Sequence, residues 1–252
     1  MQMVLLTALG VGGATVFGSV LGFLFKKISH RFSDIVLSFA AGVMLCAAVT
    51  GLILPSLEYK SFSPLFMTVA GIFCGAMCLN FFDRLVPHLH RISGVDTEEH
   101  PGQSEKLNKI LLFVMAIAIH NFPEGIATFT AGLNDPTMGL AIAAAVAIHN
   151  IPEGIAVSVP IFYATESRKK AFLWSLLSGL AEPLGALVAW LVLAPLMTPT
   201  LLGCVLTGVA GIMVYISLDE LLPAAREYGE AHTAIAGVVV GMMIMAVSLL
   251  LL

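Results

Sequence analysis

Apolar runs of about bilayer length recur from one end of this chain to the other, and they constrain its fold more than any other feature. A helix needs roughly 20 apolar residues to cross a hydrocarbon core about 30 Å thick. Reading the runs between charged or Pro/Gly-rich breaks predicts eight helices, at about 3–25, 35–54, 62–82, 110–133, 138–163, 171–197, 201–222 and 233–252. Of 252 residues 58% are hydrophobic and 11% charged, too few charges to wet a surface all round, so a water-soluble globule is excluded. Segments such as 140–148 are apolar on every side and rich in Ala, which excludes the strand alternation of an outer-membrane barrel. The predicted fold is all-α: a polytopic helical bundle forming one transmembrane domain over 1–252. The first run lacks a preceding basic segment and a small-residue cleavage pattern, so it is expected to stay in the bundle.

The basic residues set a direction. Lys26, Lys27 and Arg31 follow the first run; Arg84, Arg91, Lys106 and Lys109 the third; Arg168, Lys169 and Lys170 the fifth; Arg226 the seventh. Only Lys60 falls in an even-numbered loop, so the positive-inside bias places the odd loops in the cytoplasm and both termini outside, in a cell (plasma or inner) membrane. The longest loop, about 83–109, is then cytoplasmic, too polar for lipid and expected to be mobile. The net charge is −4 and the 12 Lys and Arg are scattered, so no nucleic-acid surface is indicated. Cys46, Cys74, Cys78 and Cys204 all lie in apolar runs, where they read as small packing side chains and not as a disulfide framework.

One segment is written twice: AIHNFPEGIA at 118–127 and AIHNIPEGIA at 147–156. His120, Asn121 and Glu124 share one side of the fourth helix, and His149, Asn150 and Glu153 one side of the fifth, because residues three and four apart stack on a helix. The short break at Asn134, Asp135 and Pro136 makes the two helices antiparallel neighbours. From Asp135 it is fifteen residues back to His120 and fourteen forward to His149, so both motifs lie roughly 20 Å from the turn, near the midplane. Pro123 and Pro152 cannot donate to the carbonyls of Ile119 and Ile148, which is expected to bend each helix and shape a cavity beside the ligands.

Glu182, in GLAEPLGA of the sixth run, adds a third intramembrane carboxylate, again beside a proline. Each ionised carboxylate at the bilayer centre costs about 2.5–3.5 kcal/mol, and no Lys or Arg lies within a run to neutralise the three. They are protonated or share a cation. Imidazole, carboxylate and amide oxygen suit Zn²⁺, Fe²⁺ or Mn²⁺ better than Cu⁺. Three carboxylates and two neutral imidazoles balance either one divalent ion or two.

At these residues the chain resembles the ZIP (zinc- and iron-transporter-like) permeases, and among them the GufA-like branch. HNFPEG and HNIPEG are similar to that family's most specific signature. The likeness implies that His120, Asn121, Glu124, His149, Asn150, Glu153 and Glu182 line a one- or two-metal transport site. It also implies a 3+2+3 arrangement of the eight helices, homodimers and an elevator-like motion. The transported ion would be zinc foremost, with iron, manganese or cadmium as further substrates. Met44 resembles a family position adjoining the transport site.

Towards the inner side, Asp83, His88 and His90, with Asp219 and Glu220 at the end of the seventh run, are candidate exit ligands by their depth. Asp219 departs from the histidine found there in some relatives, which weakens the expected exit affinity. On the outer side Glu58 is a candidate entrance charge. The leading expectation is therefore a divalent-cation transporter moving metal into the cytoplasm and not an enzyme. A metal-selective channel uses the same ligands. An intramembrane metallohydrolase is the remote alternative, because the His-Glu spacing of zincins is lacking.

Overall fold

The computed structural model describes residues 2–24, 30–57, 63–92, 103–226 and 231–251. Among them the chain is helical throughout: α1 (Gln2–Leu24), α2 (His30–Ala47), α3 (Pro64–Ile92), α4 (Gln103–Asn134), α5 (Pro136–Thr165), α6 (Arg168–Gly179), α7 (Ala181–Val188), α8 (Pro199–Ile216) and α9 (Ala231–Leu251). Six helical stretches among the described residues are long and apolar enough to cross a membrane. The two other predicted runs are also helices, α1 of 23 residues and α4 of 32.

Caps and prolines explain where these helices start. Asp135 accepts from the N–H of Thr137 at 2.8 Å and of Met138 at 3.4 Å, with Pro136 opening α5, and this turn folds α5 back on α4. Ser167 caps α6 through the N–H of Lys170, and Thr198 caps α8 through the N–H of Leu201. Both α4 and α5 run unbroken through Pro123 and Pro152.

The structure differs from the predicted elements in three places. The sixth run is two helices, α6 and α7, interrupted at Leu180; Pro183 has no N–H to give Gly179, so the ladder resets and Glu182 falls in the first turn of α7. Helix α3 continues through Asp83, His88 and His90 to Ile92, and α4 begins at Gln103, so the ends of the expected loop are helical. Helices α2, α7 and α8 each end in a widened π-type turn, at Ala48–Ile53, Ala189–Leu193 and Ser217–Leu221, just before Pro55, Pro195 and Pro223.

Glycines determine which helices touch backbone to backbone. A Cβ on Gly18 would run into the carbonyl of Ile151, one on Gly154 into that of Thr15, one on Gly12 into that of Gly179, and one on Gly125 into that of Glu182. These contacts lock α1, α4, α5, α6 and α7 together. In the same way Gly42 meets Val238 and Gly241 meets Phe39, which locks α2 to α9, and Gly75 meets Gly208 and Gly211 meets Ile72, which locks α3 to α8; the two pairs join where the turn at Ala48–Ile53 packs on α8 and that at Ser217–Leu221 on α2. No glycine contact of this kind joins the two groups among the described residues. Their seam, chiefly α2 and α8 against α5 and α4, is built of side chains such as Ala40, Met44, Ala143, Val146 and Leu206.

The cysteines are unpaired as expected, but Cys74, Cys78 and Cys204 are exposed. On α3 it is Gly71 and Gly75 that face α8, so Cys74 and Cys78 turn outward and not into a packing face.

Candidate metal centre

The antiparallel pair α4 and α5 brings the two copies of the motif face to face. His120, Asn121, Glu124, His149, Asn150, Glu153 and, from α7, Glu182 are all at least 97% buried, far below the exposure that ionisable residues normally keep. Glu124 lies between both imidazoles. His149 Nε2 is 3.1 Å from its Oε1 and 3.2 Å from its Oε2, while His120 Nε2 is 3.4 Å from Oε1. His120 Nε2 also lies 3.9 Å from Glu153 Oε2.

The separations of 3.1–3.4 Å are hydrogen-bond distances, and they are also of the size found between the ligands of a metal. Four ligands about 2.0–2.1 Å from a tetrahedral Zn²⁺ stand roughly 3.3 Å from one another. The donor atoms of His120, Glu124 and His149 all lie within 4.8 Å of one another, and Glu153 Oε2, which has no hydrogen-bond partner, borders them. Two nitrogens and two carboxylate groups form a borderline-to-hard donor set, as a divalent first-row cation prefers.

The asparagines build the other half of the cluster by one rule used twice. Asn121 Nδ2 donates to Glu153 Oε1 on the facing helix at 2.8 Å, and to the carbonyl and Oγ of Ser178 on α6 at 3.4 and 3.3 Å. Asn150 Nδ2 donates to Glu182 Oε1 on α7 and to the Val11 carbonyl on α1 at 3.3 Å. Each amide nitrogen is thus turned towards the acids and the outer helices. Each Oδ1 is left buried without a hydrogen-bond partner, an acceptor that a cation or water would satisfy.

Ser178 and the Val11 carbonyl were not legible as site residues. Ser178 stands one helical turn before Glu182, a spacing that signals it only once α6 is known to pack against α4. Thr128, a turn beyond Glu124, is likewise buried with its Oγ1 unpaired.

The remaining candidates are not drawn into this cluster. Met44 is buried in the core on α2, the helix packed on α5. Asp219 is exposed at the end of the α8 segment. The side chains of Asp83, His88, His90 and Glu220 lie outside the described set although their backbones are helical, and Glu58 lies outside the described residues altogether.

Comparison with known proteins gives the family. The family profile described as ZIP Zinc transporter matches residues 88–249, a span holding both motifs and Glu182. The zinc transporter ZupT of Chlorobium chlorochromatii (strain CaD3) is 49% identical over 251 residues, covering 95% of this chain and 94% of that protein. ZupT of Streptococcus mutans serotype c (strain ATCC 700610 / UA159) is 48% identical over 256 residues, 98% of this chain and 96% of its own. ZupT of Oceanobacillus iheyensis (strain DSM 14371 / CIP 107618 / JCM 11309 / KCTC 3954 / HTE831) is 48% identical over 264 residues, 100% of this chain and 98% of its own.

Proposed function

The chain belongs to the ZIP family of zinc transporters, and we propose that it carries zinc into the cytoplasm through the His120, Glu124, His149 and Glu153 cluster. The observation that carries this reading is a set of fully buried carboxylates and imidazoles at ligand spacing, with no Lys or Arg over 110–167 or 171–225 to neutralise them. Such groups are costly in lipid unless a cation meets them there. Asn121, Asn150 and Glu182 complete the site, and their unpaired amide oxygens leave room in the donor count for a second ion. Iron, manganese and cadmium suit the same donors and are further substrates.

Transport proceeds by alternating access across eight spans, α1 and α4 included, with Glu58 at the entrance and Asp83, His88, His90, Asp219 and Glu220 along the exit. The pattern of glycine contacts supports an elevator motion. The helices bearing the ligands, α4, α5 and α7, are interlocked with α1 and α6, while α2 is interlocked with α9 and α3 with α8. A seam of Ala, Val, Leu and Met side chains slides with less steric cost than meshed backbones do. The moving unit is therefore larger than the α4 and α5 pair. The clustering of basic residues after the first, third, fifth and seventh apolar runs supports a cytoplasmic placement of those ends.

The test is ⁶⁵Zn uptake into liposomes holding the purified chain. Glu153→Ala is expected to abolish saturable uptake while the far-UV spectrum and thermal midpoint stay near wild type. Unchanged uptake in that variant removes Glu153 from the transport site.

A further inference from the structure

Where α1, α5 and α6 meet, the bundle buries hydroxyls of which only Ser178 touches the metal site. Thr15, Ser19, Ser158, Ser175 and Ser178 are all fully buried. They occupy one junction. Ser175 Oγ donates to the Thr15 carbonyl at 3.3 Å, a Cβ on Gly154 would meet Thr15 and Ser19, and a Cβ on Gly22 would stand 3.3 Å from Ser158 Oγ. The series starts at the acid cluster, where Ser178 Oγ accepts from Asn121, and steps one turn at a time towards the end of the bundle where α5 stops and Arg168 opens α6.

Two of these groups are unexplained by packing. Thr15 Oγ1 and Ser19 Oγ have no hydrogen-bond partner at all. Buried hydroxyls normally find one, and on a helix the carbonyl one turn back is always within reach. The Gly179 carbonyl faces α1 at the same junction, and Pro183 has no N–H to offer it. Unpaired donors and acceptors gathered at one place are what an internal water requires, two to four polar partners apiece.

We propose that Thr15, Ser19, Ser158, Ser175 and Ser178 line a file of water molecules that reaches the Asn121 and Glu153 side of the cluster through the ligand-bearing unit itself. Metal does not use this path. Its walls offer only neutral hydroxyl and carbonyl oxygens, and the helices meet backbone to backbone at Gly12, Gly18 and Gly154, too close for a hydrated ion to pass. The role follows from the transport reading, on which it rests: an ion entering the cluster sheds water and an ion leaving regains it. A file inside the unit lets water exchange without parting the seam between the two helix groups.

The experiment is millisecond X-ray hydroxyl-radical labelling of the full chain in lipid nanodiscs in H₂¹⁸O, read by mass spectrometry at Ile155, Val159 and Pro183, whose side chains border the junction. Wild type is expected to take up ¹⁸O there. The Thr15→Val/Ser19→Ala double variant is expected to lose most of that label and about five-fold in initial ⁶⁵Zn uptake rate, with KM unchanged, while Thr15→Ser keeps both. Absence of label in wild type overturns the proposal, and so does a double variant with a raised thermal midpoint and wild-type uptake, the mark of a hydroxyl removed from dry packing. Labelling needs no metal, so a wild-type chain that is labelled but transports nothing refutes the transport reading and leaves the water file standing.

Discussion

Both helix groups contain helices meshed at glycines, and the groups differ in what they bury. In the group of α2, α3, α8 and α9, buried hydroxyls are spent chiefly on their own helix: Ser38 bonds the Ile35 carbonyl, Thr207 that of Gly203 and Ser217 that of Met213, although Ser56 also meets Thr68 and Asn80 donates to Tyr215 across helices. In the group of α1, α4, α5, α6 and α7, polar side chains reach across helices, as Asn121 does to Glu153 and Ser178, and Asn150 to Glu182 and Val11. Self-satisfied hydroxyls ask nothing of a neighbour, whereas cross-helix bonds fix the register of the helices they join. One group is a frame. The other holds a polar cluster whose remaining acceptors await a ligand.

The contrast is broken most forcefully at Glu124, the carboxylate between two imidazoles. Glu124→Gln should cut zinc uptake at least ~100-fold, about 3 kcal/mol, because a charged metal ligand is lost. Its thermal midpoint should stay level or rise, since a buried charge has been removed from the metal-free fold. An equal loss from Thr207→Ala, in the frame, would erase the distinction.

The backbone contacts should matter equally on both sides. Gly154→Val and Gly75→Val each press a side chain into a neighbouring backbone and should each cost roughly 2 to 3 kcal/mol, read from urea unfolding in detergent. A large cost in one group only would mean that the other packs loosely.

Acid should weaken the ligand-bearing group selectively. Neutral imidazole binds metal and imidazolium does not, so zinc affinity should fall as the pH drops, by up to about tenfold per pH unit for each proton that competes. Isothermal titration between pH 5.5 and 8 checks this, and a flat profile would show that His120 and His149 are not ligands.

The smallest effect is expected at Ser178. Ser178→Ala removes one of three acceptors around the Asn121 amide and should raise KM about two- to five-fold, roughly 0.5 to 1 kcal/mol, with any fall in kcat smaller than that and the thermal midpoint unchanged. A larger fall in kcat than rise in KM would make Ser178 part of the transport step.

Much of this was legible in the sequence because the signals were local. Lipid-length runs gave the helices, and the repeated motif with its fourteen- and fifteen-residue offsets from Asp135 put both ligand faces at one depth, as the distances across α4 and α5 bear out. Pairing was less legible. Gly18, Gly71 and Gly237 announce close approach, but which helix arrives is decided by the whole bundle, so the division into two groups had no sequence mark. Nor did the interruption at Leu180: Pro183 was visible, yet a proline can bend a helix, as expected at Pro123, or end one, and the surrounding packing chooses. The extension of α3 past Asp83 was hidden because charge argues against lipid but not against helix.

X-ray absorption at the zinc edge of the purified, zinc-loaded chain addresses most directly whether the buried acids exist to hold a cation. A first shell of about four N and O neighbours near 2.0–2.1 Å, with two imidazoles that drop to one in either His120→Ala or His149→Ala, is predicted. A shell without imidazole, or one indifferent to both substitutions, would place the metal elsewhere and contradict the account.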